Sequence, residues 1–221
     1  MSFATVILSK TRQRDGQLRE MFDLLGPRRL SFAVESLLVQ SATTVPCLSA
    51  QECDRLAVSA DQLTYRSATP VTGAEDALVY QDFELNCSRP PNHLLWKLAT
   101  TLDGLMSLAL TKISAEWVPP ATYTINDLIV QRYPPGCKGI TPYRDHLAYR
   151  IIIAILLVSG DGECRIHRSR DEPKGQVIRF CPGDLLLIGA PGVFAGFCGL
   201  CTALPRYPGC AERSVCATIA G

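Results

Sequence analysis

Several things this chain lacks narrow it before any motif is considered. No apolar run approaches the roughly 18 residues that cross a bilayer; the longest spans Ile151 to Val158. Neither sign of charge is in excess, since 22 Lys and Arg face 21 Asp and Glu for a formal net charge of +1. No overall field therefore draws the chain to nucleic acid or to an anionic membrane. Histidine is scarce: His93, His146 and His167 are all there are, and none follows His167. The N-terminal stretch is briefly apolar but has no basic region before it and no small-residue cleavage site, so secretion is not expected and a cytoplasmic protein is. There is no internal repeat, low-complexity tract or evident linker. At roughly 100–200 residues per domain, 221 residues read as a single domain over 1–221.

What is present suits a folded globular chain. Hydrophobic residues make up 47% and charged residues 19%, which argues against disorder. The ten cysteines are scattered, and several (Cys87, Cys164, Cys181, Cys216) lie inside apolar runs where a thiol acts as a small hydrophobe. Disulfide-dense scaffolds are usually short secreted chains, so reduced thiols are expected.

The first 120 residues read as helix-rich. Helical spacing over 12–25 places Leu18, Met21, Phe22 and Leu25 on one side. Residues 30–40 are apolar and β-branched enough for a strand, with a helix as the alternative. Ser49 and Glu52 form a capping box ahead of a helix running to 63. Residues 76–86 alternate as a strand, and Asn92 caps a long helix to 112 with Leu94, Leu95, Leu98, Leu102, Leu105 and Leu108 on its buried side. After Pro119-Pro120 the pattern changes to strands at 127–133, 147–158, 162–168, 176–180, 185–188 and 214–219, separated by tight turns. Helices followed by closely spaced strands indicate an α+β fold, with 1–120 packing on a β core over 121–221.

The stretch NDLIVQRYPPGCKGITPYRDHLAYRIIIAILLVSGDG resembles the metal-binding segment of the iron(II)/2-oxoglutarate oxygenases: a strand ending in Arg-Tyr, a glycine turn, then the place of a His-x-Asp motif. CPGDLLLIGAPG resembles the turn and strand that precede the distal histidine in that family. The resemblance covers Asn126 to the C-terminus. It implies a double-stranded β-helix, a jelly-roll or cupin-like barrel, with the N-terminal helices buttressing it.

The same resemblance locates the chemistry. The family holds iron with two histidines and one carboxylate, leaving open positions for 2-oxoglutarate and dioxygen. Here Tyr143 stands at the first histidine position, Asp145 at the carboxylate, and Thr202 is taken as the distal position. Arg213 is matched to the arginine that binds the far carboxylate of 2-oxoglutarate. One carboxylate with an un-ionised tyrosine is a poor iron(II) site, so no metal and no cofactor are expected. What remains can still move protons and bind anions: Tyr143, Asp145 and His146 as proton carriers, with Arg132, Tyr133, Arg150, Thr202 and Arg213 lining a substrate site. His93 and His167 read as surface or core histidines. Cys198-x-x-Cys201, with Cys164-x-x-His167 about thirty residues earlier, is a weak zinc or dithiol pattern, because a strand sends the members of CxxH to opposite faces.

Three functions follow. The first is an enzyme that keeps the oxygenase pocket without its metal and isomerises, eliminates or cyclises a small carboxylated molecule. The second is an oxygenase using iron(II) and 2-oxoglutarate through unusual ligands, Asp145 with His146 or His167. The third is a binding protein on the same scaffold. A small-molecule substrate is the expected partner, with no nucleic acid and no membrane.

Overall fold

The computed structural model describes residues 22, 24–88, 90–113, 123–125, 127–145, 149, 151–169, 172 and 174–190, and the backbone of 200–205 and 214–220. Thirteen strands and three helices lie within these residues. In chain order they are α1 (Pro27–Ser36), β1 (Ala42–Pro46), α2 (Ala50–Asp61), β2 (Arg66–Ser67), β3 (Val71–Thr72), β4 (Val79–Asp82), β5 (Glu84–Asn86) and α3 (Leu94–Leu110). Then come β6 (Asp127–Tyr133), β7 (Gly139–Ile140), β8 (Ile152–Ser159), β9 (Gly162–His167), β10 (Gln176–Phe180), β11 (Asp184–Gly189), β12 (Leu200–Pro205) and β13 (Ser214–Ala220).

Seven strands form the large sheet, in the order β1-β11-β8-β13-β6-β5-β2, and every neighbouring pair is antiparallel. Two smaller sheets, β10-β9-β12 and β3-β4-β7, complete the architecture. Among the described residues no ladder closes these sheets into a barrel.

β8 explains why the layers stack as they do. Ile152, Ala154, Leu156 and Val158 pack with the helices, while Ile153, Ile155 and Leu157 pack with Cys164, Ile166 and Phe180 of the small sheet. A strand covered on both faces reads as a continuous apolar run rather than an alternating one, and β8 is buried from Ile152 through Val158. The outer layer is supplied by Leu30 and Val34 of α1, Leu56 of α2 and Leu95, Leu98, Leu102 and Met106 of α3. The long helix thus buttresses the outer face of the large sheet.

Several local expectations change. Residues 27–36 are a helix, not a strand: Pro27 occupies its first turn, where a missing N–H costs nothing, and Leu30, Val34 and Leu37 recur at helical spacing on the buried side. The α3 cap is His93, not Asn92; its Nδ1 accepts from the Leu95 N–H at 3.3 Å. Leu108 is 40% exposed and Leu94 lies at the margin, while Ala99, Met106 and Ala109 are buried. Ser49 caps α2 as expected, accepting from the Glu52 N–H. The helix expected over 12–25 falls largely outside the described residues. The strand expected over 76–86 is interrupted at Phe83 into β4 and β5. One turn shows why its residues are needed: in Cys181-Pro182-Gly183-Asp184 the Asp184 N–H bonds the Cys181 carbonyl at 2.9 Å and Gly183 has φ +93°. A side chain at Gly183 would also run into the Leu48 carbonyl.

The helix–sheet interface makes a direct prediction. Leu102→Ala, at a fully buried site, should lower unfolding free energy by about 2–5 kcal/mol in urea titrations, whereas Leu108→Ala on the same helix should change it by less than about 0.5 kcal/mol.

Candidate active site

Strand β6 separates two of the expected site residues. Leu128 and Val130 pack with the helices, and Tyr133 packs in the interior between the sheets. Alternation puts Arg132 in phase with Leu128 and Val130, away from Tyr133. There its Nε donates to Glu84 Oε2 at 2.6 Å and its guanidinium lies 4.0 Å from the centroid of the Tyr65 ring. Arg132 is thus placed outside the interior, in a structural ion pair. Tyr133 does reach the interior, 5.2 Å from the Phe83 ring between centroids, and its hydroxyl donates to Gln131 Oε1 at 3.2 Å. Asp127, Ile129 and Gln131 share the phase of Tyr133.

The chain then turns through Pro134-Pro135-Gly136, with Gly136 at φ +79°, and runs as β7 beside β4. The Thr141 N–H donates to the Tyr80 carbonyl at 3.1 Å, and Thr141 Oγ1 accepts from the Tyr80 N–H at 2.9 Å. These bonds deliver Tyr143 against the interior apolar cluster. Asp145 follows, partly buried. Loss of water there raises its carboxyl from the usual 3.8 to about 6, because burial disfavours the charged form. The charge of Asp145 also reaches Tyr149, whose hydroxyl donates to Asp127 Oδ2 at 2.9 Å. Asp145, Tyr149 and Asp127 therefore gather at the end of the sheets where β6 and β8 begin. Tyr133 lies at the opposite end of β6, beside Ser214, six residues or roughly 20 Å along the strand. A cleft of about 810 Å³ opens at that end, lined by Pro70, Tyr80, Phe83, Pro134, Lys138 and Thr141 among others; it stops two residues short of Tyr143.

Two of the three histidines are held elsewhere. His93 caps α3 while its Nε2 lies 3.2 Å from the Ser59 carbonyl and 3.3 Å from Ser59 Oγ. His167 is buried against Glu172 and Gly175: its Nδ1 lies 3.0 Å from the Glu172 carbonyl, and a Cβ on Gly175 would sit 2.8 Å from the ring. Cys164 faces the interior with Ile166, so Cys164 and His167 diverge as strand alternation requires. Six described cysteines are thiols.

The register of β12 bears on the distal position. Thr202 pairs with Arg165, and Cys201 pairs with Ile166. Directly opposed residues of an antiparallel pair share a face, so Cys201, not Thr202, is in phase with the interior residues of β9. His146, Arg150, Cys198 and Arg213 lie outside the described residues. Asp127, Tyr149 and Gln131 were not singled out from sequence; the period-two pattern ending at Tyr133 was the signal for Asp127 and Gln131, and Tyr149 had none.

A ferrous ion needs several converging donors, with imidazoles supplying much of the affinity. Among the described residues no three His, Cys, Asp or Glu side chains come together in that way. Asp145 with Tyr143 beside it, and both described histidines engaged elsewhere, do not fit the metal. Nor is any described helix long and apolar enough to cross a membrane.

No protein-family model matches the chain, and no curated protein does. Solved structures do. A prolyl hydroxylase from Trichoplax adhaerens, solved with a hypoxia inducible factor oxygen degradation domain peptide fragment, superposes with a TM-score of 0.58 at 13% identity, covering 88% of this chain and 90% of that one. The viral collagen prolyl hydroxylase of Paramecium Bursaria Chlorella virus-1 gives 0.54 at 15% identity, over 82% and 95%. A 2OG-Fe(II) oxygenase family oxidoreductase from Burkholderia pseudomallei gives 0.53 at 12%, over 89% and 90%.

Two outcomes follow from this geometry. Because Asp145 holds its proton more tightly folded than unfolded, the native state binds more protons between pH 3.8 and about 6, and stability falls as pH rises through that window. Asp145→Asn should flatten this part of the pH–stability curve, and carboxyl NMR should place the titration midpoint near 6. The β12 register makes a second prediction: Tyr143→His with Cys201→His should recruit iron(II) more tightly than Tyr143→His with Thr202→His, as read by calorimetric titration under anaerobic conditions.

Proposed function

The chain has the double-stranded β-helix fold of the iron(II)/2-oxoglutarate oxygenases, and from that premise we propose that it is an enzyme using the scaffold for acid–base chemistry without iron. The substrate is a small carboxylated molecule, and the reaction an isomerisation, elimination or cyclisation that begins with proton removal. The observation that carries this reading is Asp145. It stands at the carboxylate position of the family motif, is desolvated, and titrates at about 6. Such a group is ionised at neutral pH yet basic enough to accept a proton, which is what a general base needs.

In this reading Asp145 takes a proton from the carbon next to the substrate's carboxylate or carbonyl. Tyr143, two residues before it and packed on the interior cluster, donates to the oxygen on which charge develops, and His146 carries protons to and from solvent. Arg150 binds the carboxylate, with the β12 segment around Thr202 as substrate wall. Arg213 precedes Ser214 in the sequence, and Ser214 pairs with Tyr133 at the far end of β6, so Arg213 and Tyr133 leave the proposal. Arg132 leaves the proposal, being committed to Glu84.

The test has two parts. Asp145→Asn and Tyr143→Phe should each lower turnover of a carboxylate substrate, found by thermal-shift screening, by about 10²–10⁴ without loss of fold. Anaerobic addition of iron(II) and 2-oxoglutarate to the wild-type protein should give no visible charge-transfer band. A band with stoichiometric iron bound through Asp145 would instead make the chain an oxygenase with unusual ligands, and would sink the acid–base reading.

A further inference from the structure

The cleft at the Tyr133 end of β6 takes no part in the acid–base reading, yet its walls carry two uncommitted charges. Its floor is Ala68 and Phe83, both buried in the interior apolar cluster. Its sides are Pro70, Val71, Tyr80 and Pro134. Val71 lies opposite Tyr80 across the β3–β4 ladder, so the two side chains stand on one face. They are 43% and 54% exposed, which leaves an aliphatic and an aromatic surface side by side in water. Alternation along β4 brings Asp82 to the same face. There it lies opposite Gly139 of β7, which has no side chain to cover it. At about 810 Å³ the cleft has the size of a small-molecule site.

Most polar groups in these walls are already engaged. Glu84 is paired with Arg132. The Gln81 side-chain amide donates to Thr72 Oγ1 at 3.0 Å, and Thr141 Oγ1 accepts from the Tyr80 N–H. Two charged groups are not so engaged. Asp82 Oδ2 accepts from the Lys138 N–H at 2.7 Å, but Oδ1 of that carboxylate has no partner among the described residues. The Lys138 ammonium likewise forms no ion pair among them. A carboxylate and an ammonium thus flank an apolar, aromatic-walled cleft without neutralising each other. A simple anion would meet like charge at Asp82, and a simple cation would meet it at Lys138. We propose that the cleft binds a free α-amino acid whose side chain is apolar or aromatic. Its carboxylate sits on Lys138, its ammonium on Asp82, and its side chain between Tyr80, Val71 and the two prolines. A zwitterion meets both charges with opposite sign, and hydrogen bonds between ionised groups are the stronger kind. Asp145 does not line this cleft, so the inference stands apart from the acid–base reading.

Calorimetric titration of the full chain with L-phenylalanine, and with L-leucine beside it, tests the site. Wild type should bind L-phenylalanine at least about tenfold more tightly than 3-phenylpropionate, which lacks the ammonium, or phenethylamine, which lacks the carboxylate. Lys138→Met should weaken L-phenylalanine by about tenfold and leave phenethylamine no weaker. Asp82→Asn keeps an oxygen for the Lys138 N–H, so the turn is retained. It should weaken L-phenylalanine by about tenfold and leave 3-phenylpropionate no weaker. Tyr80→Ala should weaken every one of these ligands, and Asp145→Asn should titrate like wild type. No saturable binding of L-phenylalanine or L-leucine would overturn the site, as would either truncated analogue binding as tightly as L-phenylalanine. Binding untouched by both Lys138→Met and Asp82→Asn would reject the cleft. Binding lost in Asp145→Asn but kept in Lys138→Met would reject it too, and would put the amino acid at the reaction centre.

Discussion

Everything else in this structure is arranged around the burial of β8 on both faces. Its even-numbered residues from Ile152 to Val158 need the helices, and Ile153, Ile155 and Leu157 need the small sheet. Neither layer is optional, since an aliphatic side chain left in water forfeits roughly 1.5–3 kcal/mol. Partner strands β11 and β13 are fixed beside β8 by backbone ladders, and β9 is returned over it by the turn at Gly160. The interior is therefore a dry space between two sheets, and its rim is where the chain leaves β7 and enters β8.

That dryness accounts for the electrostatics of the rim. A carboxyl placed there loses water and holds its proton longer, which is what happens at Asp145. Charges elsewhere are handled by pairing. Arg132 is matched by Glu84 and covers the Tyr65 ring, and Asp127 is matched by the Tyr149 hydroxyl and its own backbone. Asp145 differs from both in that, among the described residues, burial is what moves its carboxyl. Groups whose pKa is moved by burial are ones a fold can use for proton transfer.

Sharing a fold with iron enzymes does not by itself give this chain their reaction, because function resides in the site. The neighbours superpose over most of the chain at 12–15% identity, which speaks to the path of the backbone. The side chains along that path are this sequence's own: Tyr143 on the interior cluster, Asp145 partly buried after it, and His167 held by the Glu172 carbonyl.

How much of this was legible in the sequence depends on where each element finds its partners. β6 and β10 could be read residue for residue, and α2 from its cap, because alternation and capping are local. The superfamily fold was legible too, from the Arg-Tyr turn, the Tyr143-Arg144-Asp145 segment and the Pro182-Gly183-Asp184 turn. The short strands β1, β2, β3, β7 and β12 were not, since two to six residues carry too little pattern and their ladders join distant parts of the chain. Residues 30–40 read as a strand with a helix as the alternative because their apolar residues fit either period; packing on α3 decided for the helix over Pro27–Ser36. The same holds at the site. The sequence by itself determined that the chain holds three histidines, and its resemblance to the family led to the expectation that Asp145 takes the carboxylate position. Only the tertiary structure decided that Arg132 faces away, that Cys201 rather than Thr202 is in phase with the interior, and that Tyr149 meets Asp127. Each of those depends on which face of a strand is turned toward which layer, and a one-residue change of register reverses it.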